Sequence, residues 1–447
     1  MKRIALIAAL FTFVSAPSFA ADDDKVEPGF NEQTFKGLEM RSIGPAFMSG
    51  RISDIAIDPD DQSTWYVGVG SGGVWKTVNG GTTWEAIFEN EDAYSIGCVT
   101  IDPNNSNTIW VGTGENISGR HVGYGAGVYL SLDGGKNWNN MGLEGSEHIG
   151  MIRVDPRDSN VVFVAAQGPL WSAGGDRGLF KSTDGGENWR KVLGDGHGNT
   201  ELDDRYTGVS EVHMDPRDPD VMYAVTWQRF RNVAVLLDGG PATGIHKSED
   251  GGETWRELTE GLPEEIMAKT GLAISPQNPD VLYATIELAN RTGAMYRSED
   301  GGESWVKGAD YAAGGTGPHY YNELWPSPHQ FDRVYHADVN LHVTEDGGKT
   351  MQKLAHETKH VDHHAMAFDP DDENYILVGN DGGLYETFDL GKTWRFINNM
   401  PITQYYKVAV DYDEPFYNVY GGTQDNNSHG GPSRTANNIR IRHFDWF

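Results

Sequence analysis

Four carboxylates are the side chains whose type and placement could support bond cleavage: Glu115, Asp338, Asp362 and Asp381. Hydrolysis of a glycosidic bond usually needs two carboxyl groups, one protonated and one ionised, at a separation of about 5–10 Å. The sequence does not say which two of these carboxylates face each other. A catalytic pair is therefore one hypothesis, and orientation of a bound ligand by the same side chains is the other.

Histidines are densest in the run His356-Glu-Thr-Lys-His360-Val-Asp362-His363-His364. A metal site is one hypothesis, with His360, Asp362 and His363 as candidate ligands. The spacing matches no compact zinc motif, and adjacent residues of a strand point to opposite faces. Packed, hydrogen-bonded imidazoles are the alternative, so no cofactor is required. Calcium in acidic turns such as Asp371-Asp372 is possible, although solvated turn carboxylates are the commoner outcome.

A repeat must position these residues. Seven segments share a Ser/Thr-x-Asp/Asn-x-Gly core that ends in an aromatic residue or Met, and they recur on average about every 52 residues. The segments are Thr77 to Trp84, Ser131 to Trp138, Ser182 to Trp189, Ser248 to Trp255, Ser298 to Trp305, Thr344 to Met351 and Thr387 to Trp394. We call each segment a repeat hairpin.

Each repeat hairpin has a structural logic. The Asp and the Ser or Thr can bond the backbone of their own turn, and the glycines supply the positive φ that a tight turn needs. The final Trp then fills the space between neighbouring sheets. The residues given this structural role are Asp133, Trp138, Asp184, Trp189, Asp250, Trp255, Asp300, Trp305, Asp346, Asp389 and Trp394.

The rest of each unit predicts four short strands in a meander, with an Asp-Pro turn after the first strand of most units. The expected fold is all-β, a β-propeller of about seven to eight four-stranded blades of which the last is incomplete. Seven blades are assigned to residues 37–402. Residues 403–447 are an incomplete eighth repeat or closing strands.

This topology separates two faces. The turns between strands 1 and 2 and between strands 3 and 4 share one side, which we call the turn face. Loops between strands 2 and 3, and between blades, lie on the opposite, loop-rich face, where binding residues are expected. The ligand-binding candidates are Arg51, Glu115, His121, Trp227, Arg229, His319, Tyr320, Asn340, His363, Asn380, Asp381, Gln424, Asp425 and Asn426.

Composition and the N-terminus indicate export. The chain starts with basic residues, which an apolar run from Ile4 to Val14 follows, and a small-x-small pattern then ends at Ala20. This order predicts a signal peptide at residues 1–20 and therefore a secreted or periplasmic protein. An acidic, flexible segment is expected at 21–36. The formal net charge of −30 disfavours nucleic acid as a partner. No later stretch predicts insertion into a membrane.

Several passages match a known group: Arg41-Ser-Ile-Gly-Pro45, Ser49-Gly-Arg51, Val111-Gly-Thr-Gly-Glu115, Asp362-His-His-Ala365, Gly379-Asn-Asp-Gly-Gly383 and Gly421-Gly-Thr-Gln-Asp-Asn426. With the repeat, they resemble the Asp-box, or bacterial-neuraminidase, repeats of sortilin-type propellers, sialidases, xyloglucanases and a photosystem-assembly factor. The chain is most similar to exported bacterial proteins with a sortilin-like N-terminal region, often labelled glycosyl hydrolases. The resemblance covers residues 36–447 or so.

This resemblance implies a propeller that binds an extracytoplasmic peptide, protein or glycan on its loop-rich face. A sialidase- or xyloglucanase-like glycoside hydrolase is the alternative, and a structural module is a third hypothesis. The Arg-Ile-Pro motif of sialidases does not occur, and Val69-Gly-Ser-Gly-Gly-Val74 lacks the Asp that xyloglucanases carry there. Because members of the group are longer, we expect a fragment with further C-terminal domains.

Overall fold

A computed structural model describes residues 50–119, 122–194, 205–310, 320, 322–436, 441 and 445–447, together with residues 34, 37, 38, 41 and 43. The chain divides into two units, Met1–Ile43 and Gly44–Phe447, and the described strands all lie in the second unit. The predicted signal peptide falls outside the described residues. So does the predicted flexible segment 21–36, apart from Thr34.

The first four sheets are antiparallel four-stranded meanders, and sheet 4 has an additional strand. Sheet 1 contains β1 (Ile52–Ile57), β2 (Trp65–Val69), β3 (Gly73–Thr77) and β4 (Glu85–Ala86). Sheet 2 contains β5 (Ile96–Asp102), β6 (Asn105–Thr113), β7 (Val128–Ser131) and β8 (Asn139–Asn140), and a short 3-10 helix follows at Glu144–Ser146. Sheet 3 contains β9 (Ile149–Asp155), β10 (Asp158–Ala166), β11 (Gly178–Ser182) and β12 (Arg190–Leu193). Sheet 4 contains β13 (Thr207–Met214), β14 (Met222–Arg231), β15 (Leu236–Asp238), β16 (Gly244–Ser248) and β17 (Arg256–Leu258). The additional strand is β15, which pairs with β14.

The remaining sheets repeat this plan, except that the last has three strands. Sheet 5 contains β18 (Met267–Ile274), β19 (Leu282–Leu288), β20 (Gly293–Ser298) and β21 (Val306–Asp310). Sheet 6 contains β22 (Glu323–Pro326), β23 (Val334–Ala337), β24 (Leu341–Thr344) and β25 (Gln352–Lys353). Sheet 7 contains β26 (His363–Phe368), β27 (Ile376–Asn380), β28 (Gly383–Thr387) and β29 (Arg395–Phe396). Sheet 8 contains β30 (Tyr405–Val410), β31 (Asn418–Thr423) and β32 (Ser428–Pro432).

Seven apolar clusters pack the sheets against one another in sequence order. Each cluster combines residues of two neighbouring sheets, from sheets 1 and 2 through to sheets 6 and 7. The seventh cluster joins sheet 7 to sheet 1 and includes Leu377 and Val67. Sheets 1 to 7 therefore form a closed ring, the β-propeller that the repeat predicts. Strands such as β2 are buried on both faces because each sheet lies between two others.

The repeat hairpins make the predicted hydrogen bonds. In the second copy, the Ser131 hydroxyl donates to Asp133 Oδ1 at 2.9 Å, and the backbone N–H of Gly135 donates to Ser131 Oγ at 2.8 Å. Equivalent bonds surround Asp184, Asp250, Asp300, Asp346 and Asp389. Trp138 donates its indole N–H to the Ile87 carbonyl of the preceding sheet at 2.7 Å, so a hairpin also fastens two sheets together.

The hairpins lie beside the turns that join the first and second strands. Gly134 donates its backbone N–H to the Asn107 carbonyl at 2.8 Å, and Gly185 does the same to Asn160 at 3.0 Å. Similar bonds connect Gly80 with Ser63, Gly251 with Asp220, Gly301 with Asp280 and Gly347 with Asp332. Because both kinds of turn are at one face, the loops between second and third strands are at the other, as predicted.

Sheet 8 is not needed to close the ring. The described residues of the cluster that joins sheets 7 and 1 include Ile402 but none from β30, β31 or β32. Asn399 also links the two sheets, because its amide donates to the Gly81 and Thr82 carbonyls at 2.9 Å. Of the two alternatives given for residues 403–447, the described residues form an incomplete, three-stranded unit, and none of its strands contributes to the cluster that closes the ring. Sheet 8 presents exposed side chains from β30, including Tyr406, Val408 and Val410.

Candidate functional site

Four side chains meet on the loop-rich face, around a buried arginine. Arg51 immediately precedes β1, Glu115 follows β6, His364 is in β26, and Asp381 follows β27. These elements bring sheets 1, 2 and 7 together, although the residues are far apart in sequence. We call Arg51, Glu115, His364 and Asp381 the Arg51 cluster.

The Arg51 guanidinium is the centre of this cluster. Its Nε donates to Asp381 Oδ1 at 2.6 Å and its Nη2 to Asp381 Oδ2 at 3.0 Å, a two-point pairing. Its Nη1 donates to Glu115 Oε1 at 2.8 Å. The Arg51, Glu115 and Asp381 side chains are only 2%, 2% and 5% exposed, so water screens these ion pairs poorly.

The remaining oxygens of both carboxylates are also used. Glu115 Oε2 accepts the Gly123 backbone N–H at 2.8 Å, and His364 Nε2 lies 2.8 Å from Asp381 Oδ1. The Tyr320 ring lies against both Arg51, at 5.0 Å from the guanidinium, and His364, at 5.7 Å between ring centroids. The cluster therefore ties together loops from different parts of the ring.

The electrostatics of the cluster follow from this pairing. Burial alone would raise the pKa of Asp381, but the Arg51 charge and the His364 hydrogen bond outweigh it and hold that pKa well below its usual range. Burial would likewise lower the pKa of Arg51, and the charges of Asp381 and Glu115 instead raise it. Both groups are locked in their charged forms.

A more exposed set of polar side chains lies next to this cluster. His360, Asp362, Gln424 and Asp425 are half-buried and Asn426 is exposed, and we call these five residues the loop-face patch. The Asn426 amide donates to His360 Nε2 at 2.8 Å, which joins the loop of sheet 8 to the segment before sheet 7. The Asp381 backbone N–H donates to the Asp362 carbonyl at 3.0 Å, so the patch and the cluster share backbone contacts.

Asp425 is a carboxyl group of the patch whose pKa is raised. Partial burial raises its pKa to about 6, with repulsion from Asp381 and Asp362 acting in the same direction. A fraction of the Asp425 carboxyl groups therefore keeps a proton near neutral pH, whereas Asp381 is ionised. Two carboxyl groups with pKa values pushed apart are the arrangement that acid–base chemistry needs.

The metal hypothesis is not supported at its predicted ligands. His363 Nε2 faces the Lys359 ammonium nitrogen at 2.8 Å, and His360 uses Nε2 for Asn426 and Nδ1 for the Val361 carbonyl. Across the part of the chain that the structure describes, no three His, Cys, Asp or Glu side chains converge closely enough to hold a metal ion. The three candidate ligands His360, Asp362 and His363 are not gathered into a metal site in this structure, and the imidazoles of His360 and His363 are used in hydrogen bonds.

Several predicted ligand-binding residues are buried instead. Trp227 is 1% exposed and Arg229 is fully buried, with its Nη1 donating to the Ile117 carbonyl at 2.9 Å. His363 and Asn380 are also buried, and Asn380 donates to the His360 carbonyl at 3.1 Å. In this structure these residues hold loops in place, and their assignment as ligand contacts stays a prediction.

The other predicted residues have mixed outcomes. Asp338 is 3% exposed, with Oδ1 accepting the Val339 backbone N–H at 2.7 Å, which makes it unsuitable as a catalytic group. Glu115 and Asp381 are not a free catalytic pair in this structure, because both are ion-paired with Arg51. Asn340 is half-buried in the turn between β23 and β24. His121 and His319 lie outside the described residues.

His364 is the cluster member that site prediction left out. The sequence offered a signal, because His363 and His364 are adjacent in a strand and must face opposite sides. The structure turns His364 towards Asp381, while His363 faces Lys359. Which of the two histidines faces Asp381 depends on where that carboxylate lies in the fold, and the sequence does not give this position.

Comparisons of sequence and structure find proteins that this chain resembles. Residues 293–438 match the Sortilin-Vps10 family, described as "Sortilin, neurotensin receptor 3". A xyloglucanase of Hypocrea jecorina (strain QM6a) is 24% identical over 250 residues, which are 50% of this chain and 27% of that protein. The photosystem II assembly lipoprotein Ycf48 of Synechococcus sp. (strain CC9902) is 22% identical over 362 residues, 78% of this chain and 90% of that protein.

Solved structures agree on the architecture. The GH74 xyloglucanase from Xanthomonas campestris superimposes with a TM-score of 0.64 at 16% identity, covering 86% of this chain and 59% of that one. At this identity the likeness shows the fold alone. Together the matches support a β-propeller of the sortilin-like group. The chain spans about a quarter of the length of the Hypocrea xyloglucanase that it matches. Among the described residues, no helix has the length and hydrophobicity to cross a bilayer.

Proposed function

We propose that this chain is an exported propeller that binds a peptide, protein or glycan through the loop-face patch. The observation that carries the proposal is the contrast between two neighbouring layers. The Arg51 cluster is buried and fully paired, whereas the loop-face patch directly beside it is polar and accessible. A rigid base with an adjacent accessible polar surface is typical of a binding site on a scaffold.

Binding is favoured over catalysis by the state of the predicted carboxylates. A hydrolase needs one carboxyl group that can give up a proton and another that is free to attack or activate water. Glu115 and Asp381 are both ion-paired with Arg51, and Asp338 is buried, so none of the three is free for that task. Their role in the proposed function is to position the loops.

The chemistry of the patch suits a polar ligand. Gln424 and Asn426 offer amide donors and acceptors, His360 an imidazole, and Asp362 and Asp425 carboxylates. The half-exposed Tyr320 ring nearby could stack on the apolar face of a sugar or of a peptide side chain. One relative is named for a polysaccharide substrate and another for photosystem assembly, which supports testing both glycan and peptide ligands.

The test is a parallel screen on glycan and peptide arrays. We compare the unaltered protein with a double variant, Asp425→Ala with Asn426→Ala, which strips the patch but leaves the Arg51 cluster intact. The matched control is Asp371→Ala, an exposed aspartate of the turn between the first and second strands of sheet 7. We expect the double variant to lose array signal by about tenfold or more and the control to keep it. Equal signal from the double variant and the unaltered protein would refute the proposed surface.

A glycoside hydrolase is the second candidate function, and the protonation of Asp425 is the observation that favours it. Its pKa of about 6 suits a general acid, and Asp362 is the second carboxyl group of this candidate pair. In this mechanism Asp425 donates a proton to the glycosidic oxygen. Asp362 then activates water or attacks the anomeric carbon.

Hydrolysis assays on xyloglucan and sialosides separate the two functions. If the chain is a hydrolase, Asp425→Asn should reduce kcat by at least about 100-fold while the glycan still binds. If the chain only binds, the unaltered protein releases no reducing sugar from a glycan that it captures on the array. The second result is the one that we expect.

A further inference from the structure

A cavity opens on the turn face of the ring, opposite the loop-face patch. It has a volume of about 500 Å³ and is lined by the innermost strands of sheets 1 to 6. Four prolines of the turn face that line it, Pro103, Pro156, Pro216 and Pro276, are exposed, so the cavity is accessible there. We call it the channel. Its volume is within the range of small-molecule sites.

Three buried polar atoms in the channel have no hydrogen-bond partner among the described residues. They are Ser53 Oγ, Gln167 Oε1 and Glu211 Oε1, on side chains of residues that are 4%, 2% and 6% exposed. Leaving a buried polar atom unpaired costs about 1–3 kcal/mol, and more for a charged group. The other atoms of two of these side chains are fixed. Glu211 Oε2 accepts the Leu272 backbone N–H at 3.0 Å and lies 3.1 Å from His213 Nε2. Gln167 Nε2 donates to the Asn116 carbonyl at 3.0 Å.

Carboxyl groups outnumber basic side chains in the lining of the channel. The carboxyl groups are those of Asp54, Glu211, Asp215 and Glu323, and the basic side chains are those of Arg153, Lys269 and His213. Lys269 Nζ is 3.8 Å from Glu323 Oε1, too long for a hydrogen bond. Burial raises the pKa of Asp54 to about 6 and that of Glu323 to about 8, and the charges of Glu211 and Asp54 add to the second shift. The acids therefore repel one another.

Apolar side chains cover the rest of the wall. Leu272, Ile274, Met214 and Trp325 line the same cavity as the carboxylates. An alkyl chain can pack on such a surface while a charged group at its end reaches the carboxylates, as lysine side chains do in proteins. Acceptor oxygens, excess acid and an apolar wall thus define one type of ligand.

We propose that the channel binds an organic cation: a primary ammonium group on an alkyl chain that enters from the turn face. The ammonium has three donors, and it pairs with Glu211 Oε1 and with Gln167 Oε1 or Ser53 Oγ. The alkyl chain packs against Trp325 and Met214. The source is either a free diamine or polyamine, or a lysine side chain of a peptide. This site is separate from the loop-face patch.

The experiment is a calorimetric titration of the full chain at low salt. The probes are 1,5-diaminopentane, the capped peptide acetyl-Ala-Lys-Ala-amide, and its norleucine counterpart as a matched uncharged control. Binding of the diamine alone identifies a free amine, binding of the lysine peptide alone identifies a peptide, and either supports the proposal. The norleucine peptide should bind at least tenfold more weakly than the lysine peptide.

Variants locate the site. Glu211→Gln removes the charge but keeps an oxygen for the Leu272 N–H, and we expect affinity for the bound probe to fall by tenfold or more. Glu323→Gln is the second variant, in case the first does not fold, and should weaken binding in the same direction. Glu253→Gln, an exposed glutamate of a repeat hairpin on the same face, should leave affinity unchanged. No binding of either cation, or binding that survives both channel variants when they fold, would overturn the proposal.

Discussion

Two buried regions of the ring, the Arg51 cluster and the channel, treat polar groups in different ways. In the Arg51 cluster, both carboxylates are held by one guanidinium. In the channel, which follows the innermost strands, buried oxygens of Gln167 and Glu211 have no partner among the residues that the structure describes. This contrast suggests a rule for interpreting buried polar groups in a propeller. Completed networks hold loops in position, whereas incomplete ones indicate where a ligand can supply the missing contact.

The largest expected effect is on stability, from Arg51→Met. The substitution leaves Glu115 and Asp381 buried without their cation, and breaking a buried ion pair in this way costs about 3–5 kcal/mol. Urea unfolding of the purified chain measures the loss. The matched control is Arg157→Met, because Arg157 also joins two aspartates but is 49% exposed, and it should cost at most about 1 kcal/mol. Equal losses for the two variants would show that the cluster is not a structural centre.

The pH dependence of stability should have opposite signs for the Arg51 cluster and for the channel. Asp381 has a lowered pKa, so its contribution is present above its unfolded pKa of about 3.9 and is lost as the pH falls. Glu323 has a pKa raised to about 8, so its contribution is complete below its unfolded pKa of about 4.3 and is lost as the pH rises to 8.

The variant Glu323→Gln tests this contrast. The Glu323 side chain is 25% exposed, which reduces the size of the pH effect on stability but does not change its direction. Between pH 5 and pH 8 the unaltered protein should lose stability relative to Glu323→Gln, as measured by urea midpoints across that range. Parallel pH profiles for the two proteins would contradict the raised pKa and the crowding of acids in the channel.

The smallest expected effect on stability comes from removing sheet 8. A chain that stops after residue 402 keeps the cluster that joins sheets 7 and 1, so its unfolding should stay cooperative with a midpoint close to that of the whole chain. It also loses Gln424, Asp425 and Asn426. We expect the truncated chain to keep its stability, as measured by calorimetry, and to lose its binding on the arrays. A truncated chain that does not fold would mean that sheet 8 supports the ring.

The repeat made most of the fold predictable. Seven hairpins with a fixed pattern of Ser or Thr, Asp and Gly define the turns locally, and the bonds around Asp133 and its equivalents need only residues within the hairpin. The separation into two faces then follows from strand order alone. Sheet 8 was predicted as an incomplete unit, but whether it closes the ring depends on packing between residues more than 300 positions apart, as in the Asn399 bond to Gly81.

The site was less predictable for a related reason. Arg51, Glu115 and Asp381 were all candidates, but their pairing spans 64 and 330 residues, and the pairing is what removes them from catalysis. Trp227 and Arg229 have the residue types of binding sites, and only their burial shows that they are structural. The channel did leave a signal: Asp54, Arg153 and Glu211 are charges within otherwise apolar strands that line the cavity.

The central claim is that ligands contact the loop-face patch, and hydrogen–deuterium exchange tests it most directly. The measurement compares the chain alone with the chain saturated by a ligand captured on the array. The account predicts slower exchange at residues 357–364 and 422–427, with no change in the repeat hairpins of the turn face. Protection confined to the hairpins or to the exposed strand β30 would contradict it.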